Sequence, residues 1–591
     1  MIKGGEFLIT DPEAKDIFIP EEFGEDQKMM ASATKEFVEK ELDPHRERFE
    51  KKDYKLTEYC IKKAGELGLL GISVPTEYGG MGMPFNTSVL ICDKISGANG
   101  SFSTAFGAHT GIGTLPILLY GDDAQRSKYL PKLATGEWMG CYCLTEPGAG
   151  SDANSGKTKA VLTDDGKHYL ITGQKMWISN AGFADVFIVF ARIEDDKNIT
   201  GFILEKGMEG ITLGEEEQKL GLNSSSTRQV FFNDVKVPVE NLLGGRGNGF
   251  KIAMNALNVG RIKLSAAVLD ACRRVIGLST NYSNERIQFG IPIAKFGAIK
   301  HKLADMSVRT YAIESATYRA GSEIEKNILR LESEGVDHQQ AHLKGIEEYA
   351  IECSIVKVLG SETIQFCSDE GIQIYGGMGY SADAPMEAAY RDARIARIYE
   401  GTNEINRMLL VGMILKKAMK GELDIMGPAM KVAEGLMSIP SFDKPDNSVL
   451  FEVEKEQIKK LKKAILMCAG KAAQHFAMTI EREQEVLMNL ADMVIEVYTA
   501  ESAILRAEKL AAKNGEDATE HQIAMSKLYL YQAIKNCNQS GEEVILSFAE
   551  GDEQRMLLMG LKRFTKGYTI NPKEMRRNIA EKLIEENQYC F

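Results

Sequence analysis

The stretch HYLITGQKMWI (168–178) is β-branched and aromatic, and ADVFIVFARI (184–193), ITGFILEK (199–206) and RQVFFNDVKV (228–237) share its texture. DDG (164–166), KNITG (197–201) and NSSS (223–226) fall between these runs and carry turn chemistry, so the spacing predicts successive β-strands. Toward the N-terminus the period lengthens: ATKEFVEKEL (33–42), TEYCIKKAGELGL (57–69) and AQRSKYLPKLATG (124–136) space their apolar residues as helices do. After GGRGNG (244–249) helical spacing returns and runs long, through GTNEI at 401–405. A β unit set between helical units is not the alternating βαβ order of a doubly wound nucleotide fold.

The chain has 591 residues, or about four domain lengths at roughly 150 residues each. The texture divides it into an N-terminal all-α domain (1–140), a middle β-domain of barrel or sandwich type (141–245), a four-helix-bundle domain (246–420) and an additional helical extension (421–591), entered through the looser SIPSFDKPDNS (438–448). A formal net charge of −13 has the wrong sign for a chain built to grip nucleic-acid phosphates. No apolar run approaches the roughly 18 residues of a membrane span, and the opening MIKGGEFLITDPEAKD matches neither a secretory nor a transit pattern. The expectation is a cytoplasmic protein. Its 10 cysteines include only one close pair, Cys141 and Cys143, which suits reduced, buried thiols. His338 and His342 are four residues apart, but the intervening QQA carries no acid, so no metal site is expected. Neither GGRGNG nor GGMG (376–379) has dinucleotide-binding spacing.

Four constellations carry chemistry. YCLTEPGAGSDANS (142–155) gathers small residues, the hydroxyls of Thr145 and Ser151, and the acids Glu146 and Asp152. Its glycines, Gly150 among them, would let backbone amides approach a flat polar ligand, although a plain surface loop has the same composition. In QKMWISNAG (174–182) Trp177 suits either a strand core or packing against a heteroaromatic ring, with Ser179 offering a hydrogen bond. In NERIQFGIPIAKF (284–296) Arg286 could meet a pyrophosphate with its fork of donors, or close a helix-end salt bridge. QIYGGMGYS (373–381) precedes YRDARIARIYEGTNEI (390–405), where Glu400 stands between Tyr399 and Gly401. A lone Glu before Gly is most often a solvated helix end.

In this order the four together resemble the acyl-CoA dehydrogenase family over about residues 25–420. CLTEPGAGSDANS and QIYGGMGYSADAPMEAAYRDARI each fit a family pattern over their whole length, and the extension makes the chain similar to the very-long-chain branch. The resemblance implies FAD as cofactor. Thr145 would hydrogen-bond the flavin ring, with Tyr142, Leu144 and the Gly150–Ser151 turn alongside, and Trp177 and Ser179 would cover the ring near N5. Arg286 and Gln288 would hold the pyrophosphate of the partner subunit's FAD, and Gln373, Gly376 and Gly377 its adenosine end. Thr402 and Glu404 would also face FAD. Ser151, Asn258 and Arg261 would lie near the CoA portion, and Gly401 would let the backbone approach the thioester.

The reaction so implied is α,β-dehydrogenation of a fatty acyl-CoA to the trans-2-enoyl-CoA, the first step of fatty-acid β-oxidation. Glu400 would take the α-proton while the β-hydrogen leaves as hydride to flavin N5. Some branches carry the base immediately before the arginine of the LNVGR-like segment; here that position is Gly260, which leaves Glu400. The small residues of 102–118 would leave room for a long acyl tail, or would serve close helix packing. A homodimer and an electron-transfer flavoprotein as acceptor follow from the same resemblance; an acyl-CoA oxidase using O2 and a flavin-bearing assembly protein are the alternatives. In EKEQIKKLKKAILMCAGKAAQ (454–474) lysines 455, 459, 460, 462 and 463 oppose Ile458, Leu461, Ile465 and Cys468. Residues 455–471 could therefore dock on anionic lipid, or present a solvated lysine face on a packed helix.

Overall fold

The strand-like runs pair into one curled sheet. The computed structural model describes residues 2–436, 445–446 and 448–591; most of the SIPSFDKPDNS joint lies outside them. Strands β1 (Gly140–Cys143), β2 (Lys159–Leu162), β3 (His168–Ser179), β4 (Val186–Ile193), β5 (Thr200–Glu205), β6 (Ile211–Glu216), β7 (Thr227–Pro238) and β8 (Leu242–Leu243) form an eight-stranded sheet in the order β6-β7-β3-β2-β4-β5-β8, with β1 parallel to β4. Inward residues of both halves, including Cys141, Ile171, Val189, Phe202 and Val230, share one apolar core. That shared core lets a twisted sheet bury one face without a helix layer. The β3–β7 register slips between Lys175 and Ile178. This irregularity re-aims Trp177, whose backbone is left-handed at φ 60°.

The N-terminal helices include α1 (Glu25–Phe37), α2 (Phe85–Ser96) and α3 (Gly100–Gly107); the Asn99 side chain caps α3 by accepting from the amides of Ser101 and Phe102. The third unit is built from α4 (Gly249–Ala266), α5 (Leu269–Glu285), α6 (Gly297–Ser333), α7 (Ala350–Tyr375) and α8 (Asn403–Met419). The extension supplies α9 (Glu452–Phe476), α10 (Gln484–Asn514), α11 (Glu520–Leu546), α12 (Gly551–Thr565) and α13 (Pro572–Glu586), which pack on α6 and α8. All ten cysteines are free, nine of them buried. Among the described residues no helix is long and apolar enough to cross a membrane.

Two expectations change here. The stripe Ile458, Leu461, Ile465 and Cys468 is buried in the extension's own core, and Lys462 is buried as well. Lys462 donates to Glu501 at 2.5 Å and to the carbonyl of Thr10 at 2.6 Å. Residues 455–471 thus have no free apolar face for lipid, because helix packing has already used it. The second change concerns residues 2–23, assigned by position to the N-terminal helical unit. They run in short turns along the third and fourth units instead. Tyr349 donates to the Ile2 carbonyl at 2.7 Å, the Gly5 amide donates to Glu352 at 2.7 Å, and Ile17 and Ile19 pack on Leu505 and Leu510. A β-carbon on Gly4 would meet the Glu348 carbonyl at 1.9 Å, so this close approach needs glycine.

Buried charges join the units. Arg506 of α10 donates to Glu314 of α6 at 2.7 Å and to Glu21 at 2.6 Å, and Arg319 of α6 meets Glu501 at 3.0 Å. Removing one member of a buried pair leaves its partner uncompensated, which costs about 3–5 kcal/mol. Arg506→Ala is therefore expected to destabilise the chain by about that amount in chemical denaturation. Lys459→Ala, on the solvated side of α9, should shift stability by no more than about 0.5 kcal/mol.

Candidate active site

Glu400 occupies the turn that enters α8, whose N-cap is Thr402, with Oγ1 accepting from the Ile405 amide. The backbone is left-handed at Glu400 (φ 60°) and at Gly401 (φ 82°), a strained arrangement for a non-glycine residue that the surroundings must enforce. Three side chains enforce it. Arg261 Nε donates to the Glu400 carbonyl at 3.3 Å, Lys357 Nζ to the Gly401 carbonyl at 2.7 Å, and Asn406 Nδ2 to the Gly401 and Thr402 carbonyls at 2.8 and 3.1 Å. Arg261 is braced in turn by Asn258 Oδ1 at 2.8 Å. Asn258 and Arg261 are both buried beneath the turn.

The carboxyl of Glu400 is held differently. Its Oε2 is buried and accepts no hydrogen bond from the described residues. A β-carbon at Gly260 would lie 2.5 Å from it, so the glycine is what gives the carboxylate its place. Burial pushes the Glu400 pKa up to about 7, against the pull of the Arg261 and Lys357 cations. The Tyr142 hydroxyl is another buried group without a partner, raised by burial and by the nearby Glu400 charge.

A cavity of about 470 Å³ begins at Glu400, Tyr399 and Ser179. Along α4 and α5 its wall passes from Gly260 to Arg274, about 20 Å of helix at roughly 1.5 Å per residue. The opposite wall is α3 and the π-helical turn Ala108–Gly113 that follows it; such a turn widens a helix locally. Gly107 and Gly111 line the cavity with nothing within 4 Å of where a β-carbon would stand, whereas Gly113 packs on Gly140. Both readings of the 102–118 segment therefore apply, to different glycines.

The 142–155 loop borders the same region. The Thr145 carbonyl accepts from the Met176 amide at 2.9 Å, which ties the loop to β3 beside half-exposed Trp177. Gly150 and Ser151 are exposed, with open space around Gly150. Tyr142 and Leu144 are buried behind them. Glu146 does not face outward. It is buried against Lys175 at 2.6 Å and accepts from the amides of Lys157 and Thr158, so it is an internal strut of the loop. Glu404 is exposed in the first turn of α8.

A second group lies apart. Arg286 and Gln288 stand on a small exposed hairpin after α5, and Gln373, Gly376 and Gly377 at the exposed end of α7; none of them lines the cavity. Stacked rings of Tyr282 and Tyr375, 4.1 Å apart, bring the two helix ends together. Arg286 makes no ion pair among the described residues, so the salt-bridge alternative does not hold. Around it Phe289 is 95% and Tyr380 88% exposed, a patch that water alone would disfavour. The rings of His338 and His342 lie 4.3 Å apart and tilted by 51°, and Glu332 bonds His338 at 2.6 Å across the turn after α6.

Sequence reasoning missed Lys357 and Asn406. A lone lysine in the otherwise apolar SIVKVLG (354–360) was the available signal for the first; Asn406 follows the GTNEI turn without any distinguishing pattern.

Family models match along most of the chain: acyl-CoA dehydrogenase N-terminal domain at 24–137, middle domain at 141–235, and C-terminal domain at both 247–415 and 460–563. A probable acyl-CoA dehydrogenase of Bacillus subtilis is 44% identical over 99% of this chain and 98% of its own. The mitochondrial very long-chain specific acyl-CoA dehydrogenase of Macaca fascicularis is 35% identical over 80% of this chain and 73% of its own. The crystal structure of an acyl-CoA dehydrogenase complexed with FAD from Bacillus anthracis superposes with a TM-score of 0.96, at 42% identity and 100% coverage of both chains. Because Gly260 makes room for the Glu400 carboxylate, Gly260→Ala must displace it. Turnover of acyl-CoA is expected to fall by about two orders of magnitude with cofactor content unchanged, as measured by steady-state kinetics beside flavin absorbance.

Proposed function

The chain belongs to the acyl-CoA dehydrogenase family, and we propose that it dehydrogenates long-chain fatty acyl-CoA at the α,β-bond with Glu400 as the base. The observation that carries this reading is the buried Glu400 Oε2, free of partners and facing the cavity across Gly260. An exposed carboxylate, with a pKa near 4.3, is a weak base for a carbon acid; burial brings Glu400 to about 7, close to operating pH.

The residues present fit a flat heteroaromatic cofactor, FAD. Trp177 offers a half-exposed indole beside the open turn at Gly150, and Thr145 and Ser179 stand next to it. When bound, FAD supplies the acceptor for the two electrons that depart with the β-hydrogen. The chain's own part is the α-proton, which passes to the Glu400 carboxylate and leaves a neutral carboxylic acid there. The enoyl double bond then joins the α and β carbons, and atoms and electrons balance. Thr402 and the Arg261–Asn258 pair hold the turn so that its backbone can face the thioester. Arg286, Gln288, Gln373, Gly376 and Gly377 lie away from the cavity on one exposed patch, which suits residues that hold a partner subunit's cofactor in a homodimer. Electrons would leave to an electron-transfer flavoprotein.

Long acyl chains are favoured by the helical length of the cavity and by the open space at Gly107 and Gly111. Anaerobic titration with acyl-CoAs of graded length should bleach the flavin, most strongly with long chains, and Glu400→Gln should abolish the bleaching. Flavin that resists every acyl-CoA would sink the proposal. Because the base must be ionised, kcat/KM should rise through about pH 7 and hold above it. Gly107→Leu projects a side chain into the cavity and is expected to shift the kcat/KM ratio of long to short chains at least about ten-fold toward short ones.

A further inference from the structure

We propose that Lys357 is the positioning residue of the base, a cation fixed under the Glu400 turn that holds the turn's carbonyls inward and favours the ionised carboxylate. The proposal rests on Glu400 being the base.

Lys357 is fully buried, and a buried ammonium is tolerated only when paired or fully hydrogen-bonded. Among the described residues no carboxylate lies within 4 Å of its Nζ. Its partners are the Gly401 carbonyl at 2.7 Å and Asn403 Oδ1 at 2.8 Å. The first is one peptide beyond the base. The second has its amide orientation imposed from behind: Asn403 Nδ2 donates to Ser361 Oγ and Glu362 Oε1, each at 3.0 Å, and Arg407 holds Glu362 at 2.9 Å. Arg407 also reaches Asp492 of α10 at 2.7 Å. The oxygen of Asn403 is thus turned toward Lys357 and Ser361 Oγ, which lies 3.1 Å away. This bracing runs from the extension to the turn without a solvent-exposed break at the lysine.

The charges facing Lys357 are Glu400 and Glu404 from the turn and α8, Arg261 from α4, and Glu362 from its own helix. Burial pulls the lysine down to about 7 while the Glu400 charge opposes that fall. Glu400 is pushed up to about 7 and opposed by Lys357 in return. The cations that favour the ionised carboxylate are Arg261 first and Lys357 second, so a change at Lys357 reaches the acid limb of the pH profile. Removing the cation takes away one of the two charges that favour the ionised carboxylate and so moves its titration upward. A structural brace alone would lower the rate equally at every pH.

The test compares the flavin-loaded wild type with Lys357→Gln, which keeps a donor without charge, and Lys357→Met, which keeps neither. In both variants the acid limb of kcat/KM is expected to move alkaline by about one unit, read as a roughly ten-fold loss on the acid side. At high pH KM for acyl-CoA should stay near that of the wild type, and in Met the plateau of kcat should fall further than in Gln. Infrared difference spectra should show the Glu400 carboxylic-acid band, assigned by its loss in Glu400→Gln, persisting to higher pH in both. If Lys357→Met fails to fold, Lys357→Gln carries the same comparison. An acid limb and a carboxyl band unmoved in folded, flavin-loaded Lys357→Gln would overturn the proposal. Full turnover in Glu400→Gln would instead remove the base assignment on which it stands.

Discussion

The Glu400 site depends on one carboxyl oxygen that is buried and, among the described residues, accepts no hydrogen bond. A buried charge without partners is among the costliest features a protein can contain, and Glu400 Oε2 has none. The chain answers by satisfying the backbone around the carboxylate rather than the carboxylate itself. Arg261, Lys357 and Asn406 all donate to carbonyls of the 400–402 turn, which holds a left-handed conformation at Glu400 that would otherwise relax. Cations near enough to moderate the charge, yet not paired to it, leave the carboxyl free to accept a proton.

The scaffold divides the remaining work between two kinds of element. A curled sheet with its own core gives a rigid edge, and the break in the β3–β7 register turns Trp177 out from that edge. Helices give length, because α4 and α5 can line a slot continuously where strands would present alternating faces. The π-helical turn at Ala108–Gly113 and the glycines beside it keep that slot open without loosening the packing at Gly113.

Much of this was legible in the sequence. The change of hydrophobic period near 141 and again near 245 marks the all-α, β and α units, and the fold class follows from their order. Glu400 stood out only through its neighbours, since a lone Glu before Gly has no distinguishing pattern. Other features depend on tertiary approach and leave little local trace. Glu146 looks like a ligand-facing acid in its loop, but Lys175, distant in sequence, turns it inward. Nothing local to LNVGR shows that Arg261 donates to the carbonyl of Glu400, 139 residues away in sequence. The stripe of α9 reads equally well as lipid-facing or core-facing, because periodicity reports that a face is apolar and not what covers it.

What covers that face also explains why the extension belongs to the catalytic body. Apolar burial alone would let helices of the extension settle in several registers on α6 and α8. Buried pairs do not allow this, since each misplacement strands a charge. Lys462, Arg506 and Arg319 each find an acid across a unit boundary or along the opening segment, and Arg407 links Asp492 of the extension to Glu362 near the Glu400 turn. The same property that makes an unpaired carboxylate expensive at Glu400 therefore makes paired ones selective elsewhere. Residues 2–23 complete the arrangement, placing Glu21 against Arg506 and the Gly4–Gly5 backbone against the start of α7, the helix that carries Lys357.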